Sequence, residues 1–154
     1  MIVFGWNILT RARIMRGSAM TNRGIPGNSM RTILLAEDDD AMRQYLVRAL
    51  GKSGYAVEAV DRGTTALERV QAGERYDLLL TDIVMPEMDG IELAQRVAVI
   101  APETRVMFIT GFSAVSLRVG ATMPQAKVLS KPFHLRDLVL EVDRLFEERA
   151  AREL

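Results

Sequence analysis

Residues 33–40 read Ile-Leu-Leu-Ala-Glu-Asp-Asp-Asp, an apolar run that passes directly into four consecutive carboxylates. Such a run, with no alternation of polar and apolar positions, is the pattern of a strand buried on both faces, as parallel strands are. The acids after it form a loop. Met42, Tyr45, Leu46, Ala49 and Leu50 then recur at the three-and-four spacing of one helix face, and Gly51 and Gly54 mark the end of that helix. The unit repeats along the chain. Residues 55–60 make a second strand, alternating and less apolar, which places it at a sheet edge. Ala66, Leu67 and Val70 give a short second helix. Leu78 to Leu80 form a third strand ending at Thr81-Asp82, followed by the loop Met85 to Gly90 and a third helix through Ile100. Val106 to Ile109 are a fourth strand ending at Thr110, and Lys127 to Ser130 a fifth ending at Lys131-Pro132. Leu135, Leu138, Val139, Val142, Leu145 and Phe146 define a long amphipathic last helix. Gly111 to Leu117 allow one or two helical turns, and Gly120 and Pro124 interrupt anything longer.

Strands alternating with helices imply an α/β fold: a doubly wound, five-stranded parallel sheet with right-handed crossovers and helices on both faces. The 154 residues suffice for one core of this kind. A 49% hydrophobic and 26% charged composition excludes collagen-like, low-complexity and disordered classes. The absence of cysteine excludes a disulfide framework, a thiolate zinc site and a cysteine nucleophile. His134 is the only histidine and reads as an exposed residue opening the last helix. Met85, Met88 and Met107 read as packing residues. The net charge is zero, which gives no global attraction to nucleic acid or anionic lipid. That balance is uneven along the chain. Residues 1–29 hold Arg11, Arg13, Arg16 and Arg23 without an acid, so the rest, with sixteen bases against twenty acids, is at −4. The segment 1–29 reads as a disordered extension or a misplaced start, with Met30 the true first residue. An Arg-bearing interfacial helix over residues 2–16 is the alternative. The apolar opening is too short to span a membrane, which needs about 20 residues, and has its charges on the wrong side for a secretory signal.

In a doubly wound sheet, ligands bind beyond the carboxyl ends of the strands. Reading those positions gives Glu37, Asp38 and Asp39 after the first strand, Asp82 after the third, Thr110 after the fourth and Lys131 after the fifth. Each has a plain reading alone. Asp39 or Asp40 can cap the following helix, Asp82 can be a turn residue, Thr110 a strand-end residue, and Lys131 a surface lysine before a turn proline, cis or trans. Their joint occurrence on one rim favours chemistry. Crowded carboxylates raise one another's pKa unless a hard cation neutralises them, and an all-oxygen set suits Mg²⁺. A cation beside Asp82 makes that carboxylate a usable nucleophile toward phosphorus, with Lys131 and Thr110 meeting the phosphoryl oxygens. The expected product is an aspartyl phosphate.

The stretches 33–43 (ILLAEDDDAMR), 78–94 (LLLTDIVMPEMDGIELA), 106–112 (VMFITGF) and 126–135 (AKVLSKPFHL) resemble the receiver domain of two-component response regulators. They are most similar to single-domain regulators of alphaproteobacteria. The resemblance runs from Met30 to about Arg149, giving a receiver domain over 30–154 of flavodoxin-like type with strand order 2-1-3-4-5. It implies Asp82 as phosphoacceptor, and Glu37, Asp38, Asp82 and the backbone carbonyl of Val84 as the Mg²⁺ set. It also implies Thr110 and Lys131 as the phosphoryl-binding and switch pair. The phosphoryl donor is then a phosphohistidine on a histidine kinase or phosphotransferase. The alphaproteobacterial resemblance further implies a cell-cycle role as an adaptor that primes the ClpXP protease when unphosphorylated, in the cytoplasm and at a cell pole through partner binding. No direct nucleic-acid contact is expected, since the chain ends soon after the fifth helix.

Two departures from the commoner receiver pattern bear on the switch. Val128 stands where a switching aromatic is usual, so Thr110 and the segment Gly111–Pro124 must carry the signal. Val84 and Phe112 stand where polar side chains orient attacking water in fast receivers, which predicts slow self-dephosphorylation. Two other classes compete with a stand-alone receiver. Asp38-x-Asp40 has the spacing of Mg²⁺-dependent phosphatases that form an aspartyl phosphate, but the chain has no room for a cap. A nucleotide- or flavin-binding module would need a glycine-rich first loop in place of an acidic one.

Overall fold

Alternation of side chains along β1 (Thr32–Ala36) sends Ile33 and Leu35 to one face of the sheet and Leu34 and Ala36 to the other, all of them buried. The same division holds for β3 (Leu78–Asp82), with Leu78 and Leu80 on the first face and Leu79 on the second. A strand that must be apolar on both sides has no polar face to show, which is why it appears in sequence as an unbroken run. These facts come from a computed structural model that describes residues 29–152. The readings made for the segment before residue 29 lie outside the described residues.

Five parallel strands pair in the order β2-β1-β3-β4-β5, where β2 is Ala56–Val60, β4 Arg105–Thr110 and β5 Lys127–Ser130. The weakly apolar β2 is an edge strand, as its alternation predicts. Helices α1 (Asp40–Lys52) and α5 (Leu135–Arg152) cover the first face with Leu46, Leu50, Leu138, Val142, Leu145 and Phe146. Helices α2 (Gly63–Gln71), α3 (Gly90–Ile100) and α4 (Ser113–Thr122) cover the second. The doubly wound α/β arrangement and its strand order are therefore present as expected.

Three local readings are refined. Tyr45 does not join the buried face of α1 and is 55% exposed. It lies about 100° around the helix from Leu46, past the margin of the stripe that Leu46 and Leu50 centre. The helix runs through Gly51 to Lys52, and Gly54, at φ 93°, turns the chain away. Helix α4 is longer than expected, ten residues that pass through Gly120 and stop short of Pro124. A helical glycine costs only about 1 kcal/mol, whereas proline ends the ladder outright. Met85, Met88 and Met107 are buried, and His134 is exposed just ahead of α5.

Candidate functional site

The carboxyl ends of β1, β3 and β4 and the loop after β5 form one rim. Glu37, the first residue past β1, is buried at 1% exposure, and its Oε1 accepts from the Asp39 amide at 3.1 Å. Asp39 is the N-cap of α1, its Oδ1 accepting from the Met42 amide at 2.7 Å. Asp38 lies between them and is exposed. Asp82 closes β3, is 8% exposed, and its Oδ1 accepts from the Val84 amide at 3.3 Å. Carboxylate oxygens of Glu37, Asp38 and Asp82 all lie within 4.8 Å of one another.

Lys131 joins these acids from the far side of the sheet. It follows β5, two strands from β3 and so about 10 Å away at ordinary strand spacing. Its Nζ donates to Asp82 Oδ2 at 3.0 Å and to Glu37 Oε2 at 3.2 Å. The Lys131-Pro132 peptide is cis. Burial opposes the charge of Lys131, but hydrogen bonding and attraction from Asp82, then from Glu37, hold its pKa above the ordinary lysine value. Burial pushes the Glu37 carboxyl up, the Asp39 amide pulls it back, and the negative charge of Asp82 adds to the rise. An electrostatic deficit remains: three acids share one ammonium.

Thr110 ends β4 beside this cluster, one residue past the Ile109 that is in register with Asp82. It is fully buried, and its hydroxyl oxygen accepts from the Phe112 amide at 3.1 Å. Its carbonyl accepts from the Lys131 amide at 2.7 Å, which ties the two switch candidates by backbone. The side chains of Val84 and Phe112 are 50% and 60% exposed on the loops that leave β3 and β4. Val128 is partly buried on β5, in register with Phe108.

Two residues of the rim were not singled out by sequence. Gly90 opens α3, and a Cβ there would stand 2.0 Å from the carbonyl oxygen of Asp82. A glycine directly after a capping aspartate was the available signal. Arg43, in the first turn of α1, donates to the Glu37 carbonyl at 2.9 Å and to Asp40 at 2.5 Å. Its signal was a cation placed at the helix end that disfavours cations.

Residues 33–143 match the response regulator receiver domain family. The chain belongs to the response regulator receiver family. It is 60% identical over 117 residues to the response regulator receiver protein CpdR of Brucella abortus (strain 2308), a match covering 75% of this chain and 97% of CpdR. It is 36% identical over 122 residues to the sensor kinase CckA of the same organism, covering 77% of this chain but 13% of that kinase. Among solved structures, a receiver protein from Sinorhizobium medicae WSM419 superposes with a TM-score of 0.73 at 30% identity, over 80% of this chain and 99% of its own. The family membership and the receiver fold that the motif resemblance implied are both established by these matches.

Proposed function

We propose that this receiver is a stand-alone, CpdR-like signalling protein that takes a phosphoryl group on Asp82 and thereby switches a protein–protein contact. The observation that carries the reading is the meeting of Glu37, Asp38 and Asp82 within 4.8 Å with Lys131 on two of them. The donor set fits a hard divalent ion: every candidate ligand atom is an oxygen, three of them from carboxylates, and one acid, Asp38, has no side-chain partner among the described residues. Glu37, Asp38, Asp82 and the Val84 carbonyl would hold Mg²⁺, which when bound offsets charge on the phosphoryl oxygens.

In the reaction, a carboxylate oxygen of Asp82 attacks the phosphorus of a partner's phosphohistidine. The new O–P bond forms as the P–N bond breaks, and the imidazole leaves with the electron pair and takes a proton from solvent. Lys131 is already on Asp82 and exchanges one carboxylate contact for a phosphoryl oxygen. The Thr110 hydroxyl accepts from Phe112 but keeps its own proton uncommitted, so it can donate to the phosphoryl group and carry the signal into Gly111–Pro124. With Val128 on β5, no aromatic ring takes part in that relay. The donor is a histidine kinase or phosphotransferase. Following the resemblance to alphaproteobacterial regulators, the unphosphorylated form primes ClpXP in the cytoplasm, with polar placement through its partner. No helix among the described residues is long and apolar enough to cross a membrane.

The test is intact-mass spectrometry after incubation with acetyl phosphate and Mg²⁺, followed by ClpX binding in both states. One phosphoryl adduct that requires Mg²⁺ and is lost in Asp82→Ala supports the reading; an adduct that survives in Asp82→Ala overturns the site. Turnover of a small phosphoester would favour a phosphatase instead. The adduct is expected to persist, because Val84 and Phe112 offer water no hydrogen bond, and Val84→Asn should shorten its lifetime when the adduct is followed with time.

A further inference from the structure

Four carboxylates in succession repel one another, so it matters which of them the fold neutralises. Glu37 is met by Lys131 and the Asp39 amide. Asp39 is committed as the cap of α1. Asp40 accepts from Arg43 Nη2 at 2.5 Å and from Gln44 Nε2 at 3.0 Å. Asp38 alone is left without a side-chain hydrogen bond or ion pair among the described residues. The selection is made by position, since all four acids are adjacent.

Arg43 has a central part in it. Its side chain is only 19% exposed, although it belongs to the first turn of a helix, where the macrodipole opposes a cation. One arm of the guanidinium, Nη1, holds the Glu37 peptide carbonyl at 2.9 Å, and the other holds Asp40. The planar fork thus fixes the backbone between two candidate ligands and draws the fourth acid away from them, a geometry lysine cannot reproduce. We propose that Arg43 is a positioning residue for the cation site: it sorts the acidic run so that Asp38 is the carboxylate left for the metal. The inference rests on the reading of this rim as a Mg²⁺ site.

The alternative account of Arg43 is charge alone, and the two differ in sign. A guanidinium near the site repels Mg²⁺, so removing it would tighten binding if its charge were what mattered. If it positions ligands, removal weakens binding by about tenfold, the usual effect of losing a partner that orients metal ligands. The experiment is calorimetric titration of MgCl₂ into the full chain for the wild type, Arg43→Gln and Arg43→Lys, with melting temperatures of each in EDTA and in Mg²⁺. The expected result is weaker Mg²⁺ binding in Arg43→Gln and only partial recovery in Arg43→Lys, while the rise in melting temperature on adding Mg²⁺ shrinks in the same order. Binding in Arg43→Gln equal to or tighter than wild type overturns the proposal. Should Arg43→Gln not fold, Arg43→Lys decides, and wild-type affinity in it overturns the proposal equally. A folded wild type that takes up no Mg²⁺ fails the site reading itself, which separates that failure from failure of the Arg43 inference.

Discussion

Gly90 shows how narrowly one residue can be constrained by a neighbour's backbone. Its amide donates to the Ile83 carbonyl at 2.8 Å, and this brings the start of α3 against the peptide of Asp82. The 2.0 Å separation that a Cβ would have from the Asp82 oxygen is far inside contact distance, and the obstacle is main chain, which cannot rotate away. Gly90→Ala is therefore expected to destabilise the protein by about 3 kcal/mol, at the upper end of ordinary overpacking costs. Urea denaturation measures this, and wild-type stability would show that the β3–α3 turn can open. The local sequence marks Gly90 only as a glycine after a capping aspartate, and the steric requirement itself comes from a carbonyl eight residues earlier. Asp82, Glu37 and Lys131 were legible for the opposite reason. Ionisable side chains at strand ends are unusual enough in type and place to be noticed without knowing their neighbours.

Helix α4 is the least secured element of the second face. Its N-cap, Phe112, provides no side-chain acceptor, its first turn has no acid and its last turn no base. Among the residues of α4 whose burial is described only Val119 is fully buried, and the Ser116 hydroxyl is buried without a partner among the described residues. Its arginine, Arg118, reaches Asp89, the cap of α3, at 3.8 Å. An unsatisfied buried hydroxyl costs about 1–3 kcal/mol, so Ser116→Ala should stabilise α4. Native-state hydrogen exchange is expected to show α4 amides slowing by roughly fivefold or more in that variant, with α5 unchanged, corresponding to about 1 kcal/mol. No change in α4 would mean that the hydroxyl finds water. The length of this helix was misjudged from sequence because breaker residues were weighed alike, although Gly120 only taxes a helix and Pro124 ends it. Strands β1 and β3 were read correctly because burial on both faces leaves a run of one residue class, a record that α4, packed on one side by few residues, does not leave.

At the scale of the whole molecule, the sheet is fastened at both ends by polar groups. At the amino ends of the strands, Asp77 accepts from the Thr32 amide at 2.8 Å, from the Thr32 hydroxyl at 3.2 Å and from Arg31 at 3.2 Å, while its own carbonyl accepts from the Arg105 amide at 3.1 Å. Burial alone would raise the Asp77 carboxyl, but the Thr32 amide, then Arg31 and the Thr32 hydroxyl, hold it below the ordinary aspartate value. A carboxyl whose folded pKa is depressed adds stability that is complete above the unfolded value of about 3.9 and disappears as pH falls through the folded one. Asp77→Asn should therefore cost about 1.5 kcal/mol at neutral pH, the scale of charge-assisted hydrogen bonds, and the difference from wild type should close below about pH 4. Chemical denaturation at a series of pH values measures both parts, and a constant difference across that range would exclude the ionic origin. At the carboxyl ends, the fastening is Lys131, which meets Glu37 across 94 residues of chain and Asp82 across 49. During synthesis, both acids leave the ribosome long before their counter-charge exists. Until β5 is made and docked, the rim holds unmatched negative charge. On the proposed function, a nascent or truncated chain would then be a poor phosphoryl acceptor, and competence to receive a signal would coincide with completion of the fold.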